Sequence, residues 1–167
     1  MKVLVTGGAG FIGSHVNKLL LDRGHSVTVI DDLSKGHKDL LDPRANFHQI
    51  SLEDQKQLEN ILVGHDAVIH MASFIEVGES VKNPVEFAQN NIVGTVKLLE
   101  AMKNANVKKI IFSSSACVYG VPKKLPIMES DPLGEQENPY GITKITMEEF
   151  CKLYHNLFQF DVTILRY

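Results

Sequence analysis

The stretch from Val3 to Gly13 constrains this chain more than any other part of it. A β-branched run breaks directly into Thr6-Gly7-Gly8-Ala9-Gly10-Phe11-Ile12-Gly13, and apolar periodicity resumes at once from Phe11 to Asp22. The spacing Gly-x-Gly-x-x-Gly is met through Gly8, Gly10 and Gly13, between a strand and a helix. A strand that turns this tightly into a helix leaves the first helical N–H groups and the positive dipole end facing a surface without Cβ atoms. A pyrophosphate can approach there, and larger side chains in the turn would hold it away. A Walker A loop is excluded, because Gly13 is followed by Ser14-His15 and not by Lys-Ser/Thr.

The rest of the chain continues the same alternation. Strands are expected near Lys2 to Thr6, Ser26 to Asp31, Asn46 to Ile50, Ala67 to His70, Lys109 to Ser113 and Asp161 to Arg166, separated by helical stretches. Short β-branched runs alternating with helices imply an α/β chain, a Rossmann-type doubly wound parallel sheet with helices on both faces. With 167 residues, one domain covering 1–167 is expected. Gly24 ends the first helix. Asn83-Pro84-Val85-Glu86 predicts an N-cap and capping box opening a helix to about Lys103, its apolar stripe being Val85, Ala88, Ile92, Val96, Leu99 and Met102. Asn138-Pro139 repeats the start signal, with Met147, Phe150, Cys151 and Tyr154 as the apolar face. Gly120 to Glu137 gathers prolines and acids and reads as a long exposed loop.

Charge and cysteine content narrow the partners. A net charge of −3 without any long basic run argues against nucleic acid and anionic membranes. Cys117 and Cys151 form neither a disulfide framework nor a CxxC pair, so no metal site is expected and a cytoplasmic location fits. The apolar start, Met1 to Val5, is too short for a signal peptide or a membrane span.

The second strand ends at Asp31, about 20 residues beyond the glycine loop. A carboxylate there accepts hydrogen bonds from adenosine ribose hydroxyls and repels a 2′-phosphate, which favours NAD, although Lys35 nearby softens that repulsion. Tyr140 and Lys144 stand four residues apart, hence on one helix face. Ser113-Ser114-Ser115 follows the fifth strand, at the carboxyl edge of the sheet where ligands of such folds bind. Together these residues suit alcohol oxidation, in which Tyr140 removes a hydroxyl proton as hydride leaves carbon. A phenol near pKa 10 is a poor base at neutral pH. Lys144 and a positive nicotinamide are expected to lower it, and Ser115 to hydrogen-bond the reacting oxygen.

On Val5–Gly13, Asp31-Asp32-Leu33-Ser34, His70-Met71-Ala72, Val77-Gly78-Glu79-Ser80, Asn90-Asn91 with Gly94-Thr95, Phe112–Gly120 and Pro139-Tyr140-Gly141 with Lys144, the chain resembles the extended short-chain dehydrogenase/reductase family. Within it the likeness is strongest to the branch that interconverts UDP-glucose and UDP-galactose. The resemblance implies an NAD-dependent isomerase of galactose metabolism acting through a transient 4-keto sugar, with Ser115, Tyr140 and Lys144 catalytic. It implies that NAD lies along Gly7, Gly10, Phe11, Ile12, Gly13, Asp31, Ser51, Leu52, Met71, Ala72, Asn90 and Ser113, reaching Tyr140 and Lys144. Ser51 departs from the family's usual adenine-binding Asp, and Ile75 from the Lys of some members. Ala116 and Cys117 stand where 4,6-dehydratases carry an acid after the catalytic hydroxyl, which disfavours that reaction. The family continues beyond Leu165-Arg166-Tyr167 into a nucleotide-sugar-binding domain. The resemblance therefore implies a sheet cut after its sixth strand, that domain absent, and weak or no epimerisation by these 167 residues. Homodimers paired through the Pro84 and Pro139 helices are a further implication. A non-catalytic NAD-binding module and another nucleotide-sugar epimerase or reductase stay open as alternatives.

Overall fold

The computed structural model describes residues 1–167. β1 (Lys2–Thr6), β2 (Ser26–Ile30), β3 (Asn46–His48), β4 (Ala67–His70), β5 (Lys109–Ser114) and β6 (Asp161–Arg166) form one sheet in the order β3-β2-β1-β4-β5-β6. Every neighbouring pair is parallel, Val5 lying beside Val29 and Ile69, and Phe112 beside His70 and Ile164. This is the doubly wound arrangement expected from the alternation. β2 and β3 stop earlier than expected, and β5 runs one residue further.

α1 (Phe11–Asp22) begins and ends as its sequence signals indicate, and Gly24 follows it at φ 79°. Two helices were not anticipated: α2 (Gln55–Leu62), started by Asp54 accepting from the Gln57 amide at 3.1 Å and buried through Leu58 and Leu62, and α3 (Val77–Lys82), whose Val77 and Val81 are exposed. The expected Pro84 helix is three pieces end to end, α4 (Pro84–Phe87), a π-helical turn (Ala88–Val93) and α5 (Gly94–Asn104). A π turn advances the chain by less rotation per residue and so shifts the phase of everything before it. Of the six expected stripe positions only Leu99 and Met102 are buried; the buried face is Phe87, Asn91, Thr95, Leu98, Leu99 and Met102, while Val85 is 80% exposed. The expected cap at Asn83 also fails. α3 ends just before it, and its amide turns back to donate to Glu79 Oε1 at 2.6 Å instead of capping α4. Asn138 behaves as expected, accepting from the Gly141 amide at 2.8 Å to start α6 (Pro139–Phe158).

The main core lies where α2, α5 and α6 cover one sheet face, with Leu4, Val68, Leu98, Ile110, Phe112 and Met147 fully buried. Truncating such a side chain to alanine costs about 2–5 kcal/mol. α1 covers the other face over Val3, Val5, Val27 and Val29. The segment 120–137 forms no helix or strand, and Gly134 N and Gln136 Nε2 each donate to Val118 O at 3.1 Å to close its ends. No helix is long and apolar enough to cross a membrane.

Candidate functional site

The order of strand addition reverses between β1 and β4, with β2 and β3 added on one side of β1 and β4, β5 and β6 on the other, and this opens a crevice at the carboxyl edge of the parallel sheet. A cleft of about 530 Å³ occupies it. Gly7, Gly10, Phe11, Ile12, Gly13 and Asp31 line one end; Leu52, Met71, Ala72 and Asn90 line the middle; Ser113, Ser115, Tyr140 and Lys144 line the other end. Of the residues singled out in the sequence, Gly8 and Ser51 do not line it. Ser51 lies in an adjoining open depression with Asp32, Glu53 and Asn90, its hydroxyl accepting from the Glu53 amide at 3.2 Å.

At the glycine end, backbone does the shaping. Gly7 has φ 69°, and a Cβ there would stand 2.6 Å from the Ala72 nitrogen, so the segment after β4 crosses directly over it. A Cβ on Gly13 would strike the Gly7 carbonyl oxygen and come within 2.8 Å of the Gly8 Cα. Gly10 differs, since a Cβ there meets only the Gly7 carbonyl oxygen at 3.3 Å and is otherwise in open space. Gly10 is also the N-cap of α1 and supplies no side-chain acceptor, so the first-turn amides have no side chain capping them. Gly8 faces away from the cleft, packed against Val29 and Asn17. The glycines that line the cleft are therefore Gly7, Gly10 and Gly13, the three named by the resemblance, while Gly8 of the Gly-x-Gly-x-x-Gly spacing lies outside it. The Asp31 carboxylate accepts from the Ala9 amide at 3.0 Å and the Leu33 amide at 2.9 Å, which orients it along the cleft wall. An anion-attracting helix start and a fixed carboxylate suit the two ends of an adenosine diphosphate moiety. Lys35, expected to soften a 2′-phosphate penalty, instead pairs with Glu76 at 3.5 Å.

The floor holds a buried polar chain that the sequence reading missed. Thr6 Oγ1 lies 2.7 Å from His70 Nδ1, and His70 Nε2 lies 2.8 Å from Thr95 Oγ1, which donates to Asn91 O. Thr95 has thus used its proton, so His70 donates from Nε2 and accepts at Nδ1. Burial, together with the charge of Lys144, drives His70 down to about 3, and the ring stays neutral. Asn91, raised by the π turn, accepts from the Phe74 amide at 2.8 Å and donates to Thr143 Oγ1 at 3.0 Å. It ties the cleft's middle wall to α6.

At the far end, Tyr140 starts α6, its amide donating to the buried Ser80 hydroxyl at 3.2 Å. Burial raises the Tyr140 phenol, and the neighbouring Ser115 hydroxyl acts against that rise. Lys144 is lowered to about 8 by burial, opposed by Cys117 and Glu148. Its ammonium donates to Ser113 O at 3.0 Å and lies 5.8 Å from the Tyr140 ring centroid. The phenol, expected to be lowered by Lys144, is instead raised, because burial outweighs the Ser115 hydrogen bond. Ser115 Oγ accepts from the Cys117 amide at 3.2 Å, capping the 3-10 turn Ala116–Tyr119 while lining the cleft.

Residues 3–167 match the family model described as "NAD dependent epimerase/dehydratase family". The UDP-glucose 4-epimerase of Lactobacillus helveticus is 47% identical over 169 residues, covering 100% of this chain and 51% of the relative. The crystal structure of UDP-glucose 4-epimerase from Brucella ovis in complex with NAD superposes with a TM-score of 0.96 at 40% identity, covering 99% of this chain and 51% of that one. The UDP-N-acetylglucosamine 4-epimerase of Methanobrevibacter ruminantium M1, in complex with UDP-N-acetylmuramic acid, gives 0.93 at 40% identity, covering 99% and 54%. The chain spans about half the length of the curated relatives it matches.

Proposed function

This chain belongs to the NAD dependent epimerase/dehydratase family, and from that premise we propose that it serves NAD-dependent 4-epimerisation of a UDP-hexose, with UDP-glucose and UDP-galactose as the pair. The observation that carries this reading is the single cleft joining an uncapped helix start and an oriented Asp31 to Ser115, Tyr140 and Lys144.

In this reading Gly7, Gly10 and the Phe11–Gly13 amides hold the pyrophosphate of NAD and Asp31 takes the adenosine ribose. Leu52 with Ser51 flanks the adenine. Met71, Ala72, Asn90 and Ser113 line the path toward Lys144, which holds the nicotinamide ribose. Bound NAD supplies a reversible hydride acceptor for the sugar C4–H and a positive ring near the phenol. Tyr140 exchanges the O4 proton, and Ser115 hydrogen-bonds the same oxygen. Because burial favours the protonated phenol, Tyr140 ionises only with positive charge beside it, and in this reading the nicotinamide ring and the Lys144 ammonium are its sources.

The sugar is read at the level of a UDP-hexose. Solved structures at the same 40% identity are named for UDP-glucose and for UDP-N-acetylglucosamine, so this half of the fold serves more than one. These residues supply the groups for NAD and for the O4 proton, and full turnover also draws on remote contacts that orient the UDP-hexose for reaction. A cytoplasmic site of action and pairing of two copies through the exposed Val85 of α4 and Ile142, Leu153 and Leu157 of α6 belong to the same proposal. Sedimentation that finds only monomers at high concentration would remove the pairing.

Calorimetry with NAD and with NADP is the test. Heat of binding with NAD, and weaker binding with NADP, supports the reading; folded protein that binds neither overturns it.

A further inference from the structure

Three consecutive serines at the end of β5 face three successive turns of α6. Ser115 neighbours Tyr140, Ser113 O accepts from Lys144 at 3.0 Å, and Ser114 Oγ donates to Glu148 Oε1 at 2.6 Å. Tyr140, Lys144 and Glu148 are spaced by four, so one face of α6 meets all three residues of the strand end. Glu148 is fully buried yet belongs to no part of the chemistry described above. Arg166 at the end of β6 grips it with two bonds, Nε to Oε1 at 2.9 Å and Nη2 to Oε2 at 2.7 Å, and Arg166 Nη1 donates to Tyr119 OH at 2.7 Å. Burial raises the Glu148 carboxyl, and Arg166 and Ser114 more than reverse this, leaving it ionised.

We propose that Glu148 is a positioning residue for Lys144. Its carboxylate, clamped by Arg166, locks the register between the Ser113–Ser115 strand end and α6 and keeps the buried lysine cationic over the Ser113 carbonyl. The value of that cation rests on the function proposed above; the clamp itself does not. A buried ion pair is not explained by stability alone, because well-packed apolar residues often replace such a pair without loss. The charged and titratable groups facing Lys144 are Tyr140 and Glu148 from α6, Cys117 from the turn after β5 and His70 from β4; Arg166 on β6 and Lys152 at the rim reach it through Glu148. Among them Glu148 is the one carboxylate. The sequence offered one signal, an acid four residues beyond Lys144, but nothing local separates it from an ordinary exposed helix acid.

The test is a pH titration of Lys144 by NMR with side-chain-labelled lysine, its signal assigned from Lys144→Arg. Wild type, Glu148→Gln and the double variant Glu148→Met/Arg166→Met are compared. In Glu148→Gln the midpoint falls by about one unit or more, a tenfold change in the cationic fraction above the midpoint. In the double variant, which restores an apolar pair in place of an unpartnered arginine, it falls by roughly half a unit or more. A smaller fall in either folded variant overturns the proposal and leaves Glu148 a purely structural residue. Failure of the wild type to bind NAD would sink the proposed function while leaving the titration readable, so the two failures are distinguishable.

Discussion

At the glycine end of the cleft the wall beside the Asp31 carboxylate is shaped by backbone: a left-handed Gly7, a Gly13 with no room for a methyl group, and an α1 start with no side-chain cap. At the α6 end the walls are buried side chains, with Lys144 lowered to about 8 and a fully buried Glu148 held by Arg166. The first end attracts an anion through fixed partial charges that do not titrate. The second depends on charges whose state changes with pH and with each neighbour. Perturbing the glycine end should therefore give steric, pH-independent losses, and perturbing the α6 end should alter chemistry and pH response.

The largest separation of the two ends is expected from Tyr140→Phe. Epimerisation of UDP-galactose, wherever measurable, should fall by about 10²–10⁴, the usual worth of a general acid–base group, with NAD affinity changed by less than about threefold. A parallel loss of NAD affinity would show that the ends do not work independently. Next comes Gly13→Ala, whose Cβ meets backbone that cannot step aside. A stability loss of about 3 kcal/mol in chemical denaturation, the same at pH 6 and pH 9, is expected, together with loss of NAD binding. A loss that grows with pH would contradict a steric origin.

His70 lies on the border between the ends and should make folding acid-sensitive. Its folded value of about 3 lies below the unfolded 6.5, so only the unfolded chain takes up the proton as pH drops through that interval. Stability is full above pH 6.5 and declines by about 1.4 kcal/mol per unit toward pH 3, which amounts to about 2 kcal/mol at pH 5. Denaturation curves at pH 7 and 5 measure the slope, and His70→Gln should flatten it; an equally steep variant assigns the sensitivity elsewhere. The smallest effect sharpens the glycine end itself. Gly10→Ala, with open space around most of the new methyl, should unfold within about 1 kcal/mol of wild type yet bind NAD about tenfold more weakly. Unchanged NAD affinity would mean that the dinucleotide does not approach Gly10.

Much of this was readable from local chemistry. α1 was bounded by its glycines, α6 by Asn138 and Pro139, and the strands by β-branched runs, because capping, turn formation and side-chain alternation act over a few residues. The same locality explains the misses. A π turn is one extra residue in a helix, invisible to a count of apolar positions, and it moved the core face from Val85 and Ile92 to Phe87 and Asn91. Asn83 carried a good capping signal, but α3 packed immediately before it and drew its side chain to Glu79.

Residue order alone settled that a parallel sheet would carry an anion-attracting turn at its first strand, and that a phenol and an ammonium would share a helix face. It could not settle that Gly8 packs away from the cleft, which proton His70 carries, or that Glu148 and Arg166 meet. Those outcomes depend on partners far apart in the chain, as between Thr6 and His70, 64 residues away. Desolvation and hydrogen-bond pairing act only once the fold has brought such groups together, and burial is a property of the packed molecule, not of any segment of it.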